Sequence, residues 1–200
     1  MTTRSPGLRD ALDQLERRWR DAGALIVERL APGLSESEIR ERVAATGAVA
    51  PRDMVTWFGW HNGIRMDGDR ATLGLASHAG PGGWRIASLE DCLSRHAEWC
   101  TPQSRAVAPA WSTFADEWVP IMLDIGGGAL VIAQHSTPDG ASPVSAVWKD
   151  GPDELNPVAS LLEAVTIWIE VIDAGLATYV DGAWRLAWND FGDRRLLPIW

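Results

Sequence analysis

The residues best equipped for chemistry in this sequence are Cys92, His96 and Cys100. They recur at i, i+4 and i+8, so a helix there brings all three to one face. Two thiols and an imidazole suit zinc, but a closed site needs a fourth ligand, and one rigid helix cannot surround an ion. Buried cysteines also behave as small hydrophobes. The expectation is packing, with no metal and no cofactor. Gly126, Gly127 and Gly128 follow a strand-like run and invite comparison with a phosphate loop. Such a loop needs a G-x-G-x-x-G or Gly-Lys-Ser/Thr order and a helix N-terminus behind it. Here a second strand-like run follows, so the triplet reads as a turn. His61, His78 and His135 lack metal-ligand spacing and stand beside no nucleophile signature. Asp116-Glu117 and Asp153-Glu154 are adjacent pairs in loops, which reads as solvated charge. A glycosidase would need carboxylates from separate elements facing each other across a cleft. Nothing in this inventory argues for catalysis.

The elements that position these residues follow from the apolar pattern. Leu8, Leu12, Leu15, Trp19, Ile26 and Leu30 form one stripe of an amphipathic helix, which Gly23 bends or ends. Ser35 with Glu38 reads as a capping box opening a second helix that closes at Gly47. Pro51 at the first helical position and Asn62-Gly63 at the end frame a third helix. Met54, Trp57 and Phe58 share its buried face, and Trp60 lies off that face. Residues 64–87 are loop-rich, with strand-like pieces at "ATLGLAS" and "WRIA". Ser88 and Asp91 cap a helix that runs to about Trp99. "WVPIMLDIGGGALVIAQ" (118–134) is a hairpin signature, and "VSAVWKDG" (144–151) reads as a third strand of the same meander. Asn156 caps and Pro157 opens a last long helix ended by Gly175, and "TYVDGAWRLAW" adds a strand or hairpin. This order predicts an α+β fold, an antiparallel β-meander sheet packed against several helices.

Bulk properties narrow the function. Two hundred residues are one domain's worth, enough to bury roughly two thirds of the unfolded surface. No run approaches the ~18 apolar residues of a membrane span, and Met1–Asp10 has no apolar signal segment, so the cytoplasm is the expected location. Two cysteines make no disulfide framework. The net charge of −9 disfavours nucleic acid and anionic membranes as partners and favours a basic protein. Of the twelve tryptophans, Trp19, Trp57, Trp99 and Trp168 fall among helical apolar positions, while Trp60, Trp84, Trp111 and Trp118 flank loops.

The order of these signals resembles the SUKH superfamily, the Smi/Knr-like bacterial immunity proteins and fungal cell-wall regulators. "APRDMVTWFGWHNG" is similar to that family's "LP-x-x-aromatic-x-x-F-L-x-x-x-N-G" segment, through Pro51, Trp57-Phe58 and Asn62-Gly63. "WVPIMLDIGGGALVIA" looks like its "W-hydrophobic-P-I-x-x-D-x-G-G-G" hairpin, through Trp118, Pro120, Ile121, Asp124 and Gly126 to Gly128. "IASLEDCLS" and "ASLLEAVTIWI" resemble its middle and closing helices. Ala50, Met54 and Ala129 depart from the pattern. The resemblance divides the chain into an N-terminal helix (1–34), a SUKH-like domain (35–175) and a C-terminal extension (176–200). It implies a non-enzymatic binding protein, foremost an immunity protein that blocks a cognate protein toxin, with a regulatory module of the Smi/Knr type as the alternative; exposed tryptophans leave a carbohydrate-binding protein or small enzyme as the third reading. A basic toxin would meet acidic side chains. The candidate anchors are Trp60 and Trp118, with Asp116 and Glu117 beside them.

Overall fold

The computed structural model describes residues 7–65, 84–101, 114–124, 126–138, 140–148 and 157–187. Helix α1 (Leu8–Asp21) buries Ala11, Leu12, Leu15 and Trp19. It stops where Gly23 turns to φ 71°, earlier than the apolar stripe alone suggests. Ile26 and Leu30 are still buried, but from a short 3-10 helix (Leu25–Arg29) and from strand β1 (Leu30–Pro32). The helix α2 (Glu36–Ala44) has its capping box complete: Ser35 Oγ accepts from Glu38 N–H, and Glu38 accepts from Ser35 N–H.

Helix α3 (Arg52–Trp60) starts one residue later than expected, with Pro51 as its N-cap. It ends before Asn62-Gly63. His61 is already extended, and strand β2 (His61–Ile64) pairs antiparallel with β1. The Asn-Gly pair therefore does not stop the helix; it docks the strand. Asn62 Oδ1 accepts from Leu89 N–H at 2.8 Å, at the start of helix α4 (Leu89–Trp99). Gly63 sits at φ 78°, and a Cβ there would lie 2.6 Å from the Ser88 nitrogen. Only glycine allows that approach.

The central sheet has the order β3-β4-β5, from Trp118–Leu123, Ala129–Ala133 and Val144–Val147, all antiparallel. Every residue of β3 and β4 is buried, which explains their unbroken apolar runs. The ladder slips between Pro120 and Met122, leaving Ile121 as an extra residue in β3. Proline has no N–H to give a ladder and is tolerated at such bulges. The Ile121 carbonyl takes the indole N–H of Trp57 at 3.1 Å, so the bulge is where α3 locks onto the sheet. A bridge from Arg85 to Leu123 extends the β3 side, and one from Val158 to Val144 extends the β5 side.

The last long helix, α5 (Leu161–Asp173), begins at Ser160, not near Asn156 and Pro157. Ser160 Oγ accepts from Glu163 N–H, and Glu163 accepts from Ala159 N–H, so the N-cap falls four residues beyond the expected one. Asn156 lies outside the described residues, and Pro157 precedes the Val158 bridge. The hairpin of β6 (Ala177–Val180) and β7 (Ala183–Leu186) turns at Asp181-Gly182, both at positive φ as a type I′ turn requires. A single hydrophobic cluster runs from Ala11 in α1 to Ala177 in β6, with Tyr179, Trp184 and Leu186 packed on it. The fold is α+β, and among the described residues no helix is long and apolar enough to cross a membrane.

Candidate functional site

Trp60 and Trp118 are not surface anchors. Trp60 is 3% exposed and sits between Trp19 and Trp57, with ring centroids 5.8 and 5.6 Å away. It lies off the Met54–Trp57–Phe58 face, but α1 closes over that second side of α3, so leaving one buried face brought it to another. Trp118 is 8% exposed, its ring parallel to that of Phe114 at 6.1 Å. Phe114 in turn meets Trp99 edge-on at 5.5 Å. Among the other tryptophans, Trp84 is buried and Trp111 lies outside the described residues. Among the described residues the exposed tryptophan is Trp148, at 48%, with its ring 5.2 Å from that of Trp84.

Asp116 and Glu117 are exposed, and their backbone is held firmly. They close a helical turn at 114–117 that leads into β3. The Ala115 carbonyl accepts from His96 Nε2 at 2.8 Å and from Gln134 Nε2 at 3.1 Å. Gln134 Nε2 also reaches the Asp116 carbonyl at 3.1 Å, and the Gln134 backbone N–H donates to the Glu117 carbonyl at 2.8 Å. The other end of the same amide accepts from Val49 N–H at 2.8 Å. Val49 is 61% exposed. One glutamine thus joins the backbone of two adjacent acidic residues to the backbone of Val49, from a different part of the chain. Phe114, at the start of the same helical turn, packs between Trp99 and Trp118. Sequence reasoning found the carboxylates but missed Val49 and Gln134. Neither carries a motif, and their 85-residue separation hides the contact.

Of the cysteine–histidine triplet, Cys92 and His96 are buried and Cys100 packs against the core. Cys92 is buried, and loss of water together with the nearby Asp91 pushes its thiol far above the usual range, so it stays protonated. His96 is committed to Ala115, while Cys100 caps the end of α4. Among the described residues no group of three His, Cys, Asp or Glu side chains is placed to hold a metal. The glycine triplet makes a turn, with Asp124 Oδ2 accepting from Gly126 N–H and the Gly128 carbonyl from Asp124 N–H, both at 2.9 Å. His135 is exposed, and His78, Asp153 and Glu154 lie outside the described residues.

A cleft of about 370 Å³ opens where α1, α3 and α5 begin, lined by Arg9, Arg52, Asp53, Thr56 and Ser160 among others. Burial raises the Asp53 carboxyl above its ordinary range; Arg52 and the N–H groups of Ser142 and Leu161 pull partly the other way. Asp53 therefore ties α3 to the loop before β5 and to the start of α5. Among the described residues, the ledge of Val49, Asp116 and Glu117 faces outward from a hydrogen-bonded backbone. Neither the protein-family models nor the curated proteins yield a match to this chain.

Proposed function

We propose that this chain is a non-enzymatic binding protein, foremost an immunity protein that neutralises a cognate, basic protein toxin. The observation that carries the reading is the ledge: two adjacent carboxylates on a backbone pinned by Gln134 and His96, beside the exposed Val49. Carboxylates on a rigid support lose little entropy on binding, and they mimic the phosphates a nuclease toxin expects. The net charge of −9 adds long-range attraction for such a partner and repels nucleic acid and anionic membranes. The resemblance of the Pro51–Gly63 and Trp118–Gly128 segments to the SUKH pattern supports the same class of activity. With Trp60 and Trp118 buried, Asp116, Glu117 and Val49 are the contact residues of this reading, and no cofactor takes part.

The test is recovery of the tagged, full-length chain from its native host, with mass spectrometry of whatever accompanies it. A stoichiometric complex with the C-terminal domain of a large secreted protein, dissociated by salt, is the expected result. Recovery of the chain alone, from cells shown to express such a toxin, would overturn the immunity reading and leave the regulatory one.

A further inference from the structure

His61 is placed in an unusual way for a histidine that only packs. Its Nδ1 lies 2.9 Å from the Ala31 carbonyl in β1, and its Nε2 lies 3.2 Å from Glu16 Oε2 on α1. Both neighbours are acceptors. A neutral imidazole has one N–H and can satisfy one of them, leaving the other ring nitrogen's lone pair facing oxygen; only the doubly protonated ring donates to both. The surroundings suit a cation. Glu16 is a carboxylate, and its second oxygen is held by Arg20 at 2.7 Å. The Trp60 ring lies 4.6 Å from the imidazole centroid, close enough for its π-face to attract positive charge. His61 and Glu16 are each about one-fifth exposed, so their contact is shielded from bulk water without being cut off from protons.

The geometry points to His61 as a proton-dependent clasp that fastens the β1–β2 pair to α1. Strands of three and four residues with an irregular register make a weak ladder, so one clasp matters to them. With both ring nitrogens protonated, the ring bridges Glu16 and Ala31. With one proton, one of the two contacts is lost and the pair is held on one side only. The charged groups that reach the ring are Glu16 and, behind it, Arg20, both on α1. From β1 comes a carbonyl, and from α3 the indole of Trp60. Arg65, which follows β2, turns to the Glu28 carbonyl instead. Protonation therefore acts through Glu16 and Ala31, and the loosened element carries Asn62 and Gly63, the residues that dock β2 on the start of α4.

The test is NMR of the imidazole-labelled full chain from pH 5.5 to 8, with His61 assigned among the four histidines by its absence in His61→Gln. Hydrogen exchange of the Arg65 amide, which bonds to the Arg29 carbonyl at 2.7 Å, is followed in parallel. Expected are two protons on the His61 ring at the acidic end and one at the alkaline end, with Arg65 protection falling about tenfold between them once corrected for intrinsic exchange. In Glu16→Gln, which keeps an acceptor but removes the charge, the change in Arg65 protection between the two ends should be smaller than in the wild type. A ring with a single proton throughout would overturn the inference. So would Arg65 protection that does not change with the ring's protonation.

Discussion

Trp57 and Trp60 stand three residues apart on α3, are equally buried, and do different things. The indole N–H of Trp57 is spent on the Ile121 carbonyl at the β3 bulge, whereas that of Trp60 has no partner among the described residues. Replacing Trp57 by Phe keeps most of the ring but strands a buried carbonyl, at a cost of about 1–3 kcal/mol. Trp60→Phe gives up volume and no hydrogen bond. Urea unfolding should find Trp57→Phe the less stable by at least about 1 kcal/mol, and the ranking reversed would refute the bulge-locking role. Asp53 allows a test with pH. Its carboxyl titrates above the usual range in the folded chain because burial penalises the charge. The folded chain thus takes up a proton at a pH where the unfolded chain, near ~3.9, has not. That contribution is present in full below the unfolded value and is lost as pH rises through the folded one. On acidification from neutral pH, the wild type should therefore gain stability relative to Asp53→Asn. A difference between the two that stays constant with pH would contradict the assignment.

At the scale of elements, the glycine at position 63 should be far less replaceable than its sequence context suggests. An alanine there meets the Ser88 backbone, while Gly47, at a similar φ of 82°, faces open space. Gly47→Ala is expected to cost the ~1–2 kcal/mol of a left-handed alanine, and Gly63→Ala clearly more, read as the difference in unfolding midpoints. Ser160→Ala should cost about 1 kcal/mol through its lost N-cap, again by chemical denaturation. These elements were legible to different degrees, for physical reasons. The Ser35–Glu38 box and the 118–147 meander were plain because their signals are local: one hydrogen-bonded turn, and apolar runs separated by glycines. The start of α5 was misplaced because Asn156-Pro157 and Ser160–Glu163 are both good caps, and the Val158–Val144 bridge, a long-range contact, selects the second. Asn62-Gly63 was read as a stop signal because its real partners, Ser88 and Leu89, lie some 25 residues on. The candidate site was half legible. Charge marked Asp116 and Glu117, but burial of Trp60 and Trp118 depends on α1 and on Phe114, and no periodicity within one helix or strand reports that.

For the molecule as a whole, the tryptophans and the charge divide the labour. The indoles described in the core, Trp19, Trp57, Trp60, Trp99, Trp118 and Trp168 among them, build a rigid interior, and the net charge of −9 acts outward. A partner chosen by that charge should bind more weakly as salt rises, since exposed charges are screened beyond about 8 Å at physiological ionic strength. The most direct measurement compares recovery of the proposed toxin domain by the wild-type chain and by the double variant Asp116→Lys, Glu117→Lys, side by side at low and high salt. The account predicts at least tenfold weaker capture by the variant, about 1.4 kcal/mol, and a salt dependence weaker in the variant than in the wild type. Equal capture by both proteins, with the variant folded as judged by its unfolding curve, would contradict the claim that this ledge is where the protein meets its partner.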